Sequence, residues 1–273
     1  MHFETLETEV AGSIGRIRLN RPAQRNAISR RMLIELAEAA NFMDRQPDVR
    51  AVAIEGAGKA FCAGVDLEDY KSFLGNSDSV DGLIQGAGRA ITMAGLGRAA
   101  ASALENMKAI TVSKVQGYAV GGGAVVAIAA DLRVLADDAF IWIPEVDLGT
   151  PLVWGAIPRL VREIGPMRTK DIISTCRRVT ASEALTMGLV SRVVPKCDID
   201  AEVEALLAEF AGRSRYAIEA TKSHVNAIAR AMIAGDTGYA DGYLQAASWL
   251  DPEVRRIAGE YVDSFQNVTD ESR

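Results

Sequence analysis

The chain has 273 residues, of which 49% are hydrophobic and 24% charged, and its formal net charge is −6. This balance is typical of a soluble globular protein and argues against nucleic acid or an anionic membrane as the main partner, since both require a basic surface. No apolar run is long enough to span a bilayer, and the three cysteines and two histidines have no metal-ligand spacing. The N-terminus carries no evident signal or transit peptide, so we expect free thiols and a cytoplasmic protein.

The first fifty-odd residues predict strands around one helix. Residues 3–10 and 14–19 alternate apolar and polar side chains across a short Gly-containing link, as in a β-hairpin. Ser29 is a good N-cap for a helix from Arg30 to Asp44, whose apolar residues share one face. Residues 50–55 form the next predicted strand.

The middle of the chain is less uniform. Residues 72–96 are polar, glycine-rich and weakly patterned, which predicts a mobile loop with short helical pieces. A helix over 98–107 then leads into a strand over 110–115. A glycine triplet opens a wholly apolar helix over 124–130, which we expect to be buried.

Strands continue to alternate with helices up to about residue 194, which indicates an α/β core with crossover connections. Short strands are predicted at 132–135 and 139–142. Beyond Pro195 the pattern is entirely helical, with helices expected at about 201–212, 215–234, 239–250 and 252–265. We therefore divide the chain into an α/β core, residues 1–195, and a helical C-terminal region, residues 196–273.

Three segments carry residue types suited to chemistry. The first is Lys59–Leu67, where glycines and small residues follow a strand and would let a ligand approach the main chain. A turn there can leave the Val65 N–H free to donate, while Asp66 can cap the helix that follows. A glycine-rich loop with a helix cap explains the same pattern without a ligand.

The second segment, Gln116–Gly123, places three glycines at a helix start, where unpaired N–H groups can bind an anion or a polarised carbonyl oxygen. No Gly-Lys-Ser or Gly-Lys-Thr follows, so a phosphate-binding loop is disfavoured. Close helix packing is the alternative. The third segment, Trp142–Glu145, ends in a carboxylate after an apolar strand. In an apolar pocket it would be a general base with raised proton affinity, and otherwise a solvated loop residue.

Taken together, the motifs resemble the crotonase superfamily of enoyl-CoA hydratases and isomerases. The resemblance covers nearly the whole chain. Its motifs, in order, are Asn20-Arg21-Pro22 with Asn26-Ala27, Ala63–Leu67, Gln116–Gly123, Pro144–Gly149, Ala181–Ala184, Gly188–Val190 and Val193–Pro195.

The resemblance implies an α/β crotonase-like fold of repeated β-β-α units with a helical C-terminal part for trimerisation or as a lid. It also implies a homotrimer or dimer of trimers that binds an acyl-CoA thioester, with no cofactor beyond the coenzyme A of the substrate and no metal. The amides of Val65 and Gly122, with Gly121 as a close alternative, would stabilise the enolate, and Glu145 would be the base. The residues expected at coenzyme A are Arg25, Ala27, Lys59, Ala63, Gly64, Val65, Asp66, Leu67, Gly121 and Gly122.

One position departs from the hydratases of this family, which usually carry a second glutamate just after the triple glycine. Here that position is Val125, which can neither hold water nor transfer a proton. The pattern therefore favours isomerisation of a double bond with Glu145 alone. A hydratase or decarboxylase with an acid relocated to Asp147, Glu68 or Asp69 is the alternative, as is a crotonase-like coenzyme A-binding protein without catalysis.

Overall fold

The computed structural model describes residues 2–74, 79–233 and 240–270. The strands are β1 (Leu6–Ala11), β2 (Ile14–Leu19), β3 (Ala51–Gly56), β4 (Ile110–Val115), β5 (Tyr118–Val120), β6 (Leu132–Ala136), β7 (Phe140–Trp142), β8 (Arg178–Thr180) and β9 (Arg192–Val194). The helices are α1 (Arg30–Asp44), α2 (Leu67–Leu74), α3 (Val80–Glu105), α4 (Gly122–Ile128), α5 (Ala156–Ser174), α6 (Ala181–Met187), α7 (Ile199–Ala211), α8 (Arg215–Ala231), α9 (Asp241–Ser248) and α10 (Pro252–Asp270).

Two sheets organise the core. The larger has the strand order β1-β2-β3-β4-β6-β9 and is parallel apart from the β1–β2 hairpin, while β5, β7 and β8 form the smaller sheet. The chain places β4 in the large sheet and β5 in the small one before α4, and repeats this with β6, β7 and α5. These β-β-α units confirm the fold class, and they bring β5, β7 and the start of α4 together.

The first elements form as the local sequence pattern predicts. The hairpin forms around Gly12, whose φ of 59° lies in the left-handed region that glycine adopts without strain. The Ser29 side chain accepts a hydrogen bond from the Met32 N–H at 3.2 Å and so caps α1. Helix α1 then packs against β1 and α3.

The prediction of a mobile loop with short helical pieces over 72–96 is wrong for most of that range. Residues 80–105 form one continuous helix, α3, capped by Ser79, which accepts from the Gly82 N–H at 3.1 Å. Its buried face consists largely of Gly and Ala, so α3 can lie close to α1 and α9. Tertiary packing offsets the low helix propensity of its glycines. Residues 75–78 of the predicted loop lie outside the described residues.

The C-terminal region is helical as predicted, although residues 234–239 lie outside the described residues. Helix α7 packs against β3 and β4, and α10 packs against α2. Lys222 anchors α8 to the core, because its buried Nζ lies 2.7 Å from Asp131 Oδ2 and donates to Ala109 O at 2.9 Å. The boundary at residue 195 stays a prediction. No helix within the described ranges is long and apolar enough to cross a membrane.

Candidate active site

A cleft of about 80 Å³ opens where α4, the loop before α2 and the segment after β7 meet, and α9 and α10 cover it. The C-terminal helices thus cover a cleft of their own chain, which was one of the two placements expected for them. Its apolar lining residues include Leu67, Met93, Val125, Leu148, Leu152, Val153 and Trp154. Its polar side chains include Tyr70, Glu145, Thr150, Gln245 and Tyr261.

Asn26 holds the loop that borders this cleft. Its buried Nδ2 donates to the carbonyl oxygens of Ala57, Ala60 and Phe61 at 2.9–3.1 Å, and its Oδ1 accepts from the Arg21 N–H at 3.0 Å. One side chain therefore fixes the turn after β2 to the loop after β3. The asparagine of the sequence motif is structural.

The Val65 N–H is left unpaired by this arrangement. The neighbouring Gly64 O accepts from the Ile28 N–H at 2.7 Å, and the Asp66 N–H donates to Ile28 O at 2.9 Å. Because successive peptide groups in extended chain point to opposite sides, the Val65 N–H points away from Ile28. It has no acceptor among the described residues, and Val65 lines the cleft.

The glycine triplet provides a second unpaired amide. The Gly121 N–H donates to Trp142 O at 2.8 Å, so it is occupied. Gly122 begins α4, where the first amides of a helix lack an intrahelical acceptor, and its N–H has no acceptor within the described ranges. A Cβ at Gly122 would lie 2.5 Å from the Trp154 ring, so only glycine fits. Of the two glycines, Gly122 has the free donor.

Glu145 brings a carboxylate to the same cleft. Its Oε1 would lie 2.7 Å from a Cβ at Gly121, whose φ of 50° also requires glycine. Its Oε2 is enclosed by protein and has no hydrogen-bond partner among the residues that the structure describes. Burial raises the pKa of Glu145 to about 7, and burial followed by the charge of Glu145 raises the pKa of Tyr261. The alternative of a solvated loop glutamate is therefore wrong.

In the described part of the chain, no second acid lines the cleft beside Glu145. Val125 is buried and lines the cleft. Asp147, one of the three alternative acids, is exposed. Of the other two, Glu68 pairs with Lys71 at 3.0 Å, and Asp69 accepts a hydrogen bond from the Arg30 N–H at 2.7 Å. None of the three lines the cleft, and Glu145 is the sole carboxylate that does in the described part of the chain.

The other residues expected to bind coenzyme A lie on or next to the loop that precedes α2. Ala63 donates its N–H to Arg25 O at 3.0 Å, which joins the two segments. The side chains of Arg25 and Lys59 are exposed and form no ion pair with any described residue. Asp66 caps α2 through the Glu68 N–H at 3.0 Å and pairs with Arg21 at 2.7 Å.

The remaining members of that set divide between the cleft and its support. Ala63, Gly64 and Leu67 line the cleft, whereas the Ala27 carbonyl accepts from Arg21 Nη1 at 2.6 Å.

Sequence reasoning missed several lining residues. Gln245 and Tyr261 come from the C-terminal helices, and Met93 comes from the stretch misinterpreted as a loop. Helical periodicity could place Gln245 and Tyr261 on helices. It could not show that these helices pack against a cleft formed by residues much earlier in the chain. Trp154 also lines the cleft.

The β-β-α units, the two free amides and the adjacent buried carboxylate define a member of the crotonase superfamily. A family model described as enoyl-CoA hydratase/isomerase matches residues 9–241. The chain belongs to the enoyl-CoA hydratase/isomerase family.

Relatives include both hydratases and isomerases. A probable enoyl-CoA hydratase of Mycobacterium tuberculosis is 35% identical over 226 residues, covering 83% of this chain and 82% of that protein. The human mitochondrial Δ(3,5)-Δ(2,4)-dienoyl-CoA isomerase is 33% identical over 253 residues, covering 90% of this chain and 74% of that protein.

Solved structures share the fold. An enoyl-CoA hydratase from Mycobacterium avium subsp. paratuberculosis superimposes with a TM-score of 0.82 at 22% identity, covering 95% of this chain and 99% of that one. A putative enoyl-CoA hydratase from Thermobifida fusca, in complex with acetoacetyl-CoA, has a TM-score of 0.73 at 28% identity, covering 90% and 93%.

Proposed function

We propose that this protein is an acyl-CoA isomerase that moves a carbon–carbon double bond with Glu145 as its single acid–base group. The observation that carries the proposal is the isolation of Glu145. Its enclosed Oε2 has no partner within the described ranges, and its cleft presents Val125 where a second carboxylate would be needed. A pKa of about 7 suits a base that takes up and releases a proton near neutrality.

The thioester carbonyl oxygen is bound by the N–H groups of Val65 and Gly122. Glu145 takes a proton from carbon 2 of a 3-enoyl ester, and the electron pair moves onto the carbonyl oxygen as an enolate. Two fixed donors stabilise that charge, and losing one such donor typically costs about 3–4 kcal/mol of barrier. Glu145 then returns the proton to carbon 4, so the double bond ends between carbons 2 and 3 with no net change in composition.

Relatives support both halves of the proposal. The Thermobifida fusca protein is named as a complex with acetoacetyl-CoA, which supports thioester binding in this cleft. The human relative named as a dienoyl-CoA isomerase supports double-bond movement. The relatives named as hydratases favour hydration as the second candidate, and Val125 opposes it because valine cannot position water.

The proposal also covers the binding of coenzyme A, the cofactor requirement, the assembly and the location of the protein. The exposed Arg25 and Lys59 bind the phosphates of coenzyme A, since unpaired cations at the mouth of the site suit that charge. The reaction uses no cofactor beyond the coenzyme A of the substrate. We propose a homotrimer or dimer of trimers located in the cytoplasm.

The decisive experiment incubates the protein separately with a 3-enoyl-CoA and a 2-enoyl-CoA. We expect isomerisation of the first and little hydration of the second. Glu145→Gln should lower the isomerisation rate on the order of 10²–10⁴-fold with little change in ester affinity, whereas the matched change Asp147→Asn at an exposed site should not.

Fast hydration of the 2-enoyl ester with slow isomerisation of the 3-enoyl ester would refute the isomerase assignment. Binding of both esters without turnover would instead indicate a coenzyme A-binding protein that lacks catalysis.

A further inference from the structure

The segments that carry the Val65 and Gly122 amides are joined shortly before each amide. Cys62 and Ala119 form an isolated parallel bridge, and the Val120 N–H donates to Cys62 O at 3.0 Å. Val65 lies three residues after Cys62. In the same way, Gly122 lies three residues after Ala119. Whatever fills the space between the two segments beyond this bridge helps to set the distance between the amides.

The side chain of Cys62 lies against the segment that carries the Gly122 amide. A Cβ at Gly123, the next residue, would lie 2.6 Å from Cys62 Cβ and 2.7 Å from its Sγ. Both distances are well below van der Waals contact, so there is no room for a side chain at residue 123. The main chain in the first turn of α4 therefore packs directly on the Cys62 side chain.

The same thiol holds the segment that carries the Val65 amide. Cys62 Sγ accepts a hydrogen bond from the Gly64 N–H at 3.4 Å and donates one to Asn26 O at 3.0 Å. Burial raises the pKa of Cys62 to about 12, so the sulfur keeps the proton that it donates. Within the described ranges the Gly64 N–H has no other acceptor. The thiol thus connects the loop to the asparagine that anchors it.

Gly64 is the point at which this loop could rotate. Its φ of 98° lies in a region that glycine adopts readily, and it has no side chain to restrain it. Its carbonyl accepts from the Ile28 N–H at 2.7 Å, which directs the N–H of the same trans peptide, that of Val65, away from Ile28. The thiol holds the N–H on the other side of Gly64. Both peptide planes that meet at Gly64 are therefore fixed.

We propose that Cys62 is a positioning residue that holds the Val65 and Gly122 amides at the separation that one thioester oxygen requires. Its side chain is the spacer between the two segments, in contact with Gly64 on one side and Gly123 on the other. Cys62 is fully buried and does not line the cleft, so it acts through the amides and not on the substrate. This inference rests on the role of the two amides in the proposed function.

The separation matters because a donor stabilises the enolate only from hydrogen-bond distance. Oxyanion donors act at about 2.7–3.1 Å from the charged oxygen, and a displacement of about 1 Å in an active site can cost about 10² in rate. Removing Sγ would leave a space beside the first turn of α4 and an unpaired N–H at Gly64. The two amides would then lose their common support.

The test measures the two amides through the carbonyl stretching frequency of a bound thioester. Infrared difference spectroscopy of hexanoyl-CoA, labelled with ¹³C at the carbonyl, gives the shift of the C=O stretch from its value in buffer. The proteins compared are the wild type, Cys62→Ala, Cys62→Ser and the matched control Cys176→Ala. Cys176 is also buried, and its Sγ bonds to Asp147 N and Ile173 O rather than to either segment.

We expect the wild type to lower the C=O frequency and Cys62→Ala to lose about half of this shift or more. Cys62→Ser should lie between the two, since its hydroxyl can form both hydrogen bonds but is smaller than a thiol. Cys176→Ala should keep the full shift. For Cys62→Ala, kcat of isomerisation should fall about ten- to a hundredfold. Its dissociation constant for hexanoyl-CoA should change less than about threefold, because the amides act mainly on transition-state charge.

The inference is overturned if either Cys62 variant keeps the full wild-type shift, or if Cys176→Ala loses as much of it as Cys62→Ala does. The result for Cys62→Ser decides the matter even if Cys62→Ala does not fold. A loss of kcat and of affinity with an unchanged frequency would show a purely structural role and would equally overturn it. A wild type without any shift would refute thioester binding by the two amides, and this inference with it, whereas a shift that survives in Cys62→Ala refutes this inference alone.

Discussion

Glu145 is held as a carboxyl group where water cannot stabilise its charge. Its usual pKa of 4.5 rises to about 7 because of burial. Between these values the folded state binds more protons than the unfolded state. The free energy of unfolding therefore falls as pH rises from about 4.5 to about 7, and the loss is complete above that range.

The Glu145→Gln variant should remove this contribution to the pH dependence, because an amide does not titrate. Relative to the wild type, its free energy of unfolding should be little changed near pH 5 and higher at pH 8. At 1.36 kcal/mol per pKa unit, the gain reaches at most about 3 kcal/mol. Urea unfolding at both pH values measures it. The exposed control Glu9→Gln should show no such difference, and a gain that does not grow with pH would contradict the linkage.

Arg25 gives a prediction about affinity. Its exposed guanidinium forms no ion pair with any residue in the described ranges, so it can bind a phosphate without giving up a partner. Arg25→Ala should weaken acyl-CoA binding by about tenfold and change the rate of the chemical step much less. ADP competition measures the nucleotide contact. The control Arg45→Ala should bind as the wild type does, and equal competition by ADP against wild type and Arg25→Ala would exclude the contact.

The site residues could be predicted from the sequence only where their role depends on residues next to them in the chain. The carboxylate after Pro144 was identified from sequence, but its isolation depends on Val125 and on the covering helices. The sequence could not choose between Gly121 and Gly122, since that depends on which amide meets Trp142 O across β5 and β7. Gln245 carried no signal, because a helical pattern does not say which side chain of a helix reaches the cleft.

At the scale of elements, α3 and the segment before α5 meet at Trp154. The ring lies against two glycines, and a Cβ would be 2.2 Å from it at Gly97 and 2.5 Å at Gly122. Trp154 itself has a φ of 63°, which is uncommon for a bulky residue. The small residues of α3 thus make room for one wall of the cleft.

Gly97→Ala should therefore destabilise the fold by about 1–3 kcal/mol, because the ring or the helix must move, and should weaken ester binding. Gly95→Ala on the same helix should instead stabilise by up to about 1 kcal/mol, since no atom lies within 4 Å of its Cβ. Urea unfolding of the two variants measures the change in stability, and ester titration measures the change in binding. Equal behaviour of the two variants would show that the ring does not depend on Gly97.

Helices α1 and α3 show why some elements were predicted and others were not. Helix α1 has a capping serine and a distinct apolar face, which specify it locally. Helix α3 contains five glycines and is spread evenly with small apolar residues, so no face stands out. Its partners, α1 and α9, lie before and after it in the chain, and their packing supplies what its propensity lacks.

At the scale of the whole molecule, large apolar side chains are exposed along α8 and α9. They are Tyr216, Val225, Ile228, Tyr243 and Leu244. Large apolar groups exposed on a surface are typical of a protein interface. This surface supports the proposal that the chain forms a homotrimer or a dimer of trimers.

Native mass measurement should give about three or six times the chain mass of 29.2 kDa. The double variant Val225→Glu and Ile228→Glu should reduce that mass, because two charges would be buried without partners. The control Val10→Glu on the exposed hairpin should not. A stable monomer in the wild type would exclude the assembly.

The two unpaired amides, on Val65 and Gly122, belong to the main chain and so are untouched by most substitutions. The side chain at 65 is free to diverge within the size that the cleft accepts, whereas Gly122 is held to glycine by Trp154. Selection can thus exchange the side chains at 125 and 245 and change what enters the cleft without removing either donor. In a comparison of diverging descendants, residue 65 would look dispensable although its amide is not.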